Sequence, residues 1–303
     1  MTGQGWLATY AQISLLLLPV ACCASIGAFC ARSRTTYPGE FVAYLATVVS
    51  TPALVFHTLV TTKLDDAHLL EVGVAALLGL AIAAIASACA LRLLKLPVRT
   101  FTAAATFPNA GNLGLPVAYL AFGEDGMAVA ITFFAVNSVA QHTLGVWFTS
   151  SGGAHTQRWP KGVALACGLA LVVRVSGIPV SSAVLESARL IGSLAVPLML
   201  LSLGHALATA SRRGLGRGAL LGATRLLAGL LGSTAVVQLL GLPSLIASVV
   251  TLQMIMPVAV VSAIYVQRFS TEGEVAAGAV LISTVTFLAL CPLWIAWVGN
   301  LNP

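Results

Sequence analysis

Two asparagines three residues apart, Asn109 and Asn112, stand in the stretch Phe107-Pro108-Asn109-Ala110-Gly111-Asn112-Leu113-Gly114-Leu115-Pro116. Each side-chain amide can donate two hydrogen bonds. Proline removes a backbone donor and glycine loosens the chain, so the same residues predict an interrupted helix beside those amides. The positive N-terminal end of a half-helix attracts an anion, and amides beside it suit a carboxylate without a buried counter-charge. The competing reading is that the asparagines only cap the interrupted backbone, and both can hold together. A second interruption is predicted at Gln253-Met254-Ile255-Met256-Pro257-Val258-Ala259. Pro116 and Pro257 are expected to break their helices, with no direct chemistry of their own. Gln253, one turn before Pro257, can face the crossing, and Met254, Ile255 and Met256 offer either apolar wall or plain packing.

Other polar groups lie within apolar segments: His57, Asn137, Gln141 and His142. At membrane depth such groups usually face the bundle interior or a cavity. His57 or His142 can titrate near neutral pH, although a histidine hydrogen-bonded between helices is the commoner case. Arg225 is a strong charge inside an apolar span. Snorkelling to the nearby interface is the favoured reading, and a positive potential for an entering anion is the alternative. The nine acids fall at loops or span ends, which argues against a proton pump with a carboxylate in its core.

The elements that hold these residues are membrane helices. The chain of 303 residues is 58% hydrophobic and 8% charged, with mean hydropathy +0.98. Soluble domains carry about 25% charged residues, so this is a polytopic membrane protein. Ten spans are predicted, at about 8–30, 40–61, 69–92, 100–122, 127–149, 161–179, 188–209, 217–239, 244–267 and 275–298, each near the ~20 residues that a bilayer requires. No cleavable signal peptide is expected. Of the fifteen Lys and Arg, eleven fall in one set of loops and three in the other. The positive-inside rule then puts both termini outside the cytoplasm. The scatter of basic residues argues against nucleic-acid binding despite a net charge of +6. Six cysteines in apolar segments lack zinc-ligand spacing with His and read as packing residues.

Landmarks recur. Pro52 and Pro197, Pro116 and Pro257, and Gly126 and Gly273 are separated by 145, 141 and 147 residues. A repeat of five spans must insert its second copy upside down. Interrupted spans at matching positions of inverted halves are a sequence pointer to a secondary-transporter site. The expected organisation is a first repeat at 1–150, a short cytoplasmic connector at 151–160 and an inverted second repeat at 161–303, with spans four and nine crossing near the midplane.

Pro108-Asn109 through Gly114-Leu115-Pro116, Met256-Pro257 with Gln267-Arg268-Phe269, Pro52 with Phe56-His57, and Leu201-Ser202-Leu203-Gly204 together resemble the auxin efflux carrier family. The resemblance covers both halves. It implies a ten-helix inverted-repeat fold shared with bile-acid symporters and sodium/proton antiporters, crossing helices four and nine, elevator-like alternating access and a homodimer. Plant members export auxin; bacterial members are linked to small acids such as malate and malonate. Carried over, Asn109 sits where the family's crossover asparagine contacts the substrate carboxylate, and Asn137 and His142 sit where polar residues line the approach. Val55 stands where plant proteins have a small hydroxyl residue, span three lacks their Asp and Lys pair, and Ser151 to Trp159 replaces their long loop. These departures leave open which carboxylate is carried.

The sequence therefore predicts an inner-membrane secondary transporter of small organic anions, with a substrate site at Asn109, Asn112, Pro116, Gln253, Met256, Pro257, Asn137, His142 and His57. No cofactor or metal is expected, and no phosphate-binding loop or nucleophile–base pair suggests an enzyme. Proton or sodium coupling stays open. A sodium-coupled symporter of bile-acid type and a non-transporting ligand sensor are the alternatives.

Overall fold

A computed structural model describes residues 15, 18–33, 38–150, 161–209 and 214–299. The predicted connector at 151–160 lies outside the described residues. The helices are α1 (Leu18–Arg32), α2 (Gly39–Tyr44), α3 (Thr51–Thr61), α4 (Asp66–Leu93), α5 (Val98–Thr106), α6 (Leu115–Ala140), α7 (Val146–Thr149), α8 (Lys161–Ser176), α9 (Ser182–Ser193), α10 (Ala195–Thr209), α11 (Leu215–Leu240), α12 (Ser244–Met254), α13 (Val260–Phe269) and α14 (Gly273–Val298). Three wider π-turns, Leu45–Ser50, Ala110–Gly114 and Gln141–Gly145, link neighbouring helices. Among the described residues there is no strand beyond one isolated bridge, and six continuous helical stretches are long and apolar enough to cross a membrane.

Two of the π-turns run directly into a proline. Pro52 and Pro116 each come just after such a turn, inside a continuous helical stretch, where a missing N–H and the ring's clash with the preceding turn have to be accommodated. The turn before it absorbs the clash: Gly114 N–H reaches back five residues to Asn109 O at 3.0 Å. Pro116 therefore does not break its span, contrary to the expectation from sequence. The interruption lies earlier, at Phe107–Asn109, between α5 and the π-turn. A second discontinuity comes at Gly123, whose φ of 66° turns the chain within α6; a left-handed backbone is open to glycine at little cost.

The helices pack as two layers. In one, α1 lies along α10, and α3 packs on α8 and α9. The α1–α10 contact is backbone against backbone: a Cβ at Gly27 would overlap Leu201 O, and one at Gly204 would overlap Ala24 O. Small residues at such crossings let membrane helices gain close contact that lipid cannot supply. Arg174 of α8 ties the layer's end by donating to Leu59 O (2.9 Å), Leu64 O (2.7 Å) and Asp66 Oδ1 (2.5 Å). In the other layer, α4 packs against α11, α11 against α14, and α5, α6, α12 and α13 fill the space around them. The outward faces stay apolar and exposed, as at Leu77, Ile85, Leu227 and Leu231, which suits lipid rather than water.

Candidate functional site

The two interrupted segments meet in the second layer. Asn109 N–H donates to Pro257 O at 2.9 Å, and Pro108 and Val258 form an antiparallel bridge. Val258 N–H is taken by Ser283 Oγ at 3.1 Å. Four helix ends converge here. The C-terminal ends of α5 and α12 arrive from one side of each break, and the π-turn starting at Ala110 and α13 starting at Val260 leave from the other. The first N–H groups of a helix have no intrahelical partner, so two partially positive ends face the same place.

A cavity of about 120 Å³ opens against those two N-terminal ends. Asn109, Asn112, Asn137 and His142 line it together, joined by Ser138, Gln141 and the apolar Phe134. Thr47, Thr51, Val163 and Met199 close it from the first layer, so the cavity lies on the seam between layers. Asn109 is 4% exposed and its Nδ2 has no hydrogen-bond partner among the described residues; the same holds for Asn137 Oδ1. Buried polar groups are normally paired, and an orphan costs about 1–3 kcal/mol, so these atoms mark where a ligand or its hydration would bind. The amides are thus not consumed in capping.

Neighbouring groups hold the wall in place. Gln141 Nε2 donates to Ser262 Oγ at 2.9 Å, and Ser262 Oγ reaches Ala103 O at 3.3 Å. His142 Nδ1 lies 2.8 Å from Ser138 O, and its ring meets Tyr265 edge to face at 6.2 Å. A nitrogen that close to a carbonyl is a donor, which leaves Nε2 as the acceptor when the ring is neutral.

The other predicted residues lie elsewhere. Met256 and Gln253 are fully buried, and Pro257 contributes its carbonyl to the crossing rather than a face to the cavity. Gln253 packs on Gly114, where any Cβ would strike its amide, and neither end of that amide has a partner among the described residues. His57 is not part of this constellation. It lines a larger cavity of about 740 Å³ between α3, α9 and the Gly123 bend of α6, with Lys63, Arg189, Glu124 and Asp125. Its charges are mixed, and Arg189 is already forked onto Glu186 at 2.6 and 2.8 Å. A third cavity of about 590 Å³ lies between α10, α13 and α14, beside Gln267 and Glu274. Volume alone would select the largest space; orphaned buried amides select the smallest of the three.

Arg225 differs from the sequence expectation. It does not snorkel but is wholly buried, and its guanidinium donates to Met254 O at the end of α12. Gly229, one turn further along α11, explains how: a Cβ there would overlap the same carbonyl, so its absence lets α11 press against the break. Thr47, Thr51 and Ser138 were missed from sequence because hydroxyls in helices usually bond to their own backbone, as Thr51 does to Ala46 O at 2.6 Å.

Comparison with known proteins is consistent across both halves. Residues 12–163 and 160–295 each match the family model described as membrane transport protein. An uncharacterized transporter of Methanothermobacter thermautotrophicus (strain Delta H) is 28% identical over 199 residues, covering 64% of this chain and 66% of that protein.

Proposed function

Because the chain belongs to the auxin efflux carrier family of membrane transport proteins, we propose that it is a secondary carrier of small organic anions that binds a carboxylate at the crossing of the two interrupted helices. It is a transporter and not an enzyme. The observation that carries the substrate class is the buried, unpartnered Asn109 amide facing a cavity on which two helix N-terminal ends converge. Amide donors and dipole ends stabilise a carboxylate, and a substrate bound there needs no fixed counter-ion. Volume narrows the class. Cavities of ~150 Å³ hold a molecule the size of benzene, so about 120 Å³ favours a short-chain acid over a bile acid or an indole acid.

The route is alternating access by movement of one layer against the other. Three cavities lie between the layers, at the site, beside α9 and the Gly123 bend, and beside α10 and α13, which supports an elevator-like displacement of the crossing layer; two others lie within that layer, between α4 and α11 and between α11 and α14. Packing also supports two inverted five-helix repeats, 1–150 and 161–303: exchanging the repeats turns the α1–α10 contact into the α8–α3 contact and returns α4–α11 onto itself. On this reading the protein spans the inner membrane ten times, with both termini outside the cytoplasm and the first layer available for a homodimer.

Thermal unfolding of the purified protein against a panel of carboxylates, followed by uptake into sealed liposomes, tests the reading. A short-chain acid is expected to raise the unfolding midpoint with the logarithm of its concentration and to be carried across the bilayer. Stabilisation without uptake would replace the carrier with a ligand sensor; stabilisation by bulky aromatic acids alone would overturn the substrate class.

A further inference from the structure

We propose that Arg225 is a tethered cation that neutralises the carbonyl end of α12, so that the crossing keeps its shape without sodium. Carbonyl ends of half-helices carry partial negative charge, and in transporters built from interrupted helices they commonly coordinate a bound cation. Two such ends occur here, and the chain treats them differently. At the end of α5, Ala105 O accepts from the hydroxyl of Ser87 on α4 at 2.9 Å. At the end of α12, Met254 O accepts from the Arg225 guanidinium on α11. One end has a neutral donor, the other a full positive charge.

That charge is costly to keep. Arg225 is 0% exposed, no carboxylate pairs with it, and its Nε and Nη1 have no partner among the described residues. A buried ion without a counter-ion costs several kcal/mol, and an ionisable group within a membrane span marks function by default. The carbonyl end of α12 is the partner it has. Gly229 makes the approach possible, and the cavity at Asn109 does not include the guanidinium, so Arg225 acts on the backbone of the crossing and not on the ligand. It is a positioning residue. Its charge occupies the place that sodium would take, which separates this chain from a sodium-coupled symporter. The inference rests on the crossing geometry and not on which anion is carried.

The test is the unfolding midpoint of ligand-free protein in sodium, potassium and N-methylglucamine chlorides at equal ionic strength. The unaltered protein is expected to unfold at one temperature in all three; saturable stabilisation by sodium would overturn the proposal. Arg225→Gln keeps a donor and loses the charge. It is expected to unfold several degrees lower in N-methylglucamine and to recover with millimolar guanidinium, but not with urea at the same concentration. An unchanged midpoint, or no response to guanidinium, would overturn it. Arg225→Lys is expected to retain more stability than Arg225→Gln, and the reverse order would show that shape rather than charge matters. Because no substrate enters these measurements, their failure leaves the carboxylate reading standing, and the converse holds equally.

Discussion

The amide of Asn109 is where the residue-scale account can be tested most directly. A hydrogen bond to a charged partner contributes about 1.5–3 kcal/mol, so Asn109→Ala is expected to weaken carboxylate binding roughly 10- to 150-fold while the protein stays folded. Ligand-dependent thermal shift measures this, and undiminished stabilisation would remove Asn109 from the site. Asn109→Asp should be worse, because it places a like charge against the substrate; equal affinity in the Ala and Asp variants would mean that the ligand is not an anion. Asn109, Asn112, Asn137 and His142 were legible in the sequence as polar residues in apolar spans, and they share one cavity. His57 carried the same signal and lies in another cavity, since residue type reports depth in a span but not which face the helix turns. Arg225 misled for a related reason. Its distance from the span end suggested snorkelling, and only the glycine one turn on permits the approach that buries it.

At the scale of elements, prolines were easy to find and hard to interpret. Prolines look alike in sequence, yet Pro52 and Pro116 follow π-turns within continuous helical stretches, whereas Pro108 and Pro257 lie in the gaps. Pro116→Ala is therefore expected to leave ligand affinity close to that of the unaltered protein, as read by thermal shift; loss of binding would return the break to Pro116. The α1–α10 contact makes a stronger demand. Gly204→Ala forces a methyl into the Ala24 carbonyl, and overpacking of this kind costs about 1–3 kcal/mol or more. Gly73 on α4 has nothing near its missing side chain, so Gly73→Ala should be neutral or stabilising by up to about 1 kcal/mol through helix propensity. Unfolding midpoints of the two variants should move in opposite directions, and a larger loss at Gly73 would contradict the packing described.

For the whole molecule the prediction concerns relative motion of the layers. Ala188 on α9 and Asp125 on α6, one in each layer, both line the cavity of about 740 Å³. Cysteines at both positions, joined by a short bifunctional maleimide in a background free of the native cysteines, should stop liposome uptake while ligand still stabilises the protein. Uptake that survives cross-linking would rule out displacement along this seam. Helical class and membrane character were legible from composition, because so few charges cannot cover a wet surface. The seam was not, since it depends on which helices pair across more than a hundred residues. Pro108 and Val258, bridged at the crossing, show what that separation means for a chain being made. At about 5–20 residues per second, synthesis takes roughly 8–30 s to travel from one to the other. Throughout that interval the first break has no partner for its freed backbone groups, which hydrocarbon cannot satisfy. The nascent first half must therefore wait in a sheltered place, within the insertion machinery or beside its own water, and a chain truncated after residue 150 is expected to be degraded rather than to persist in the membrane.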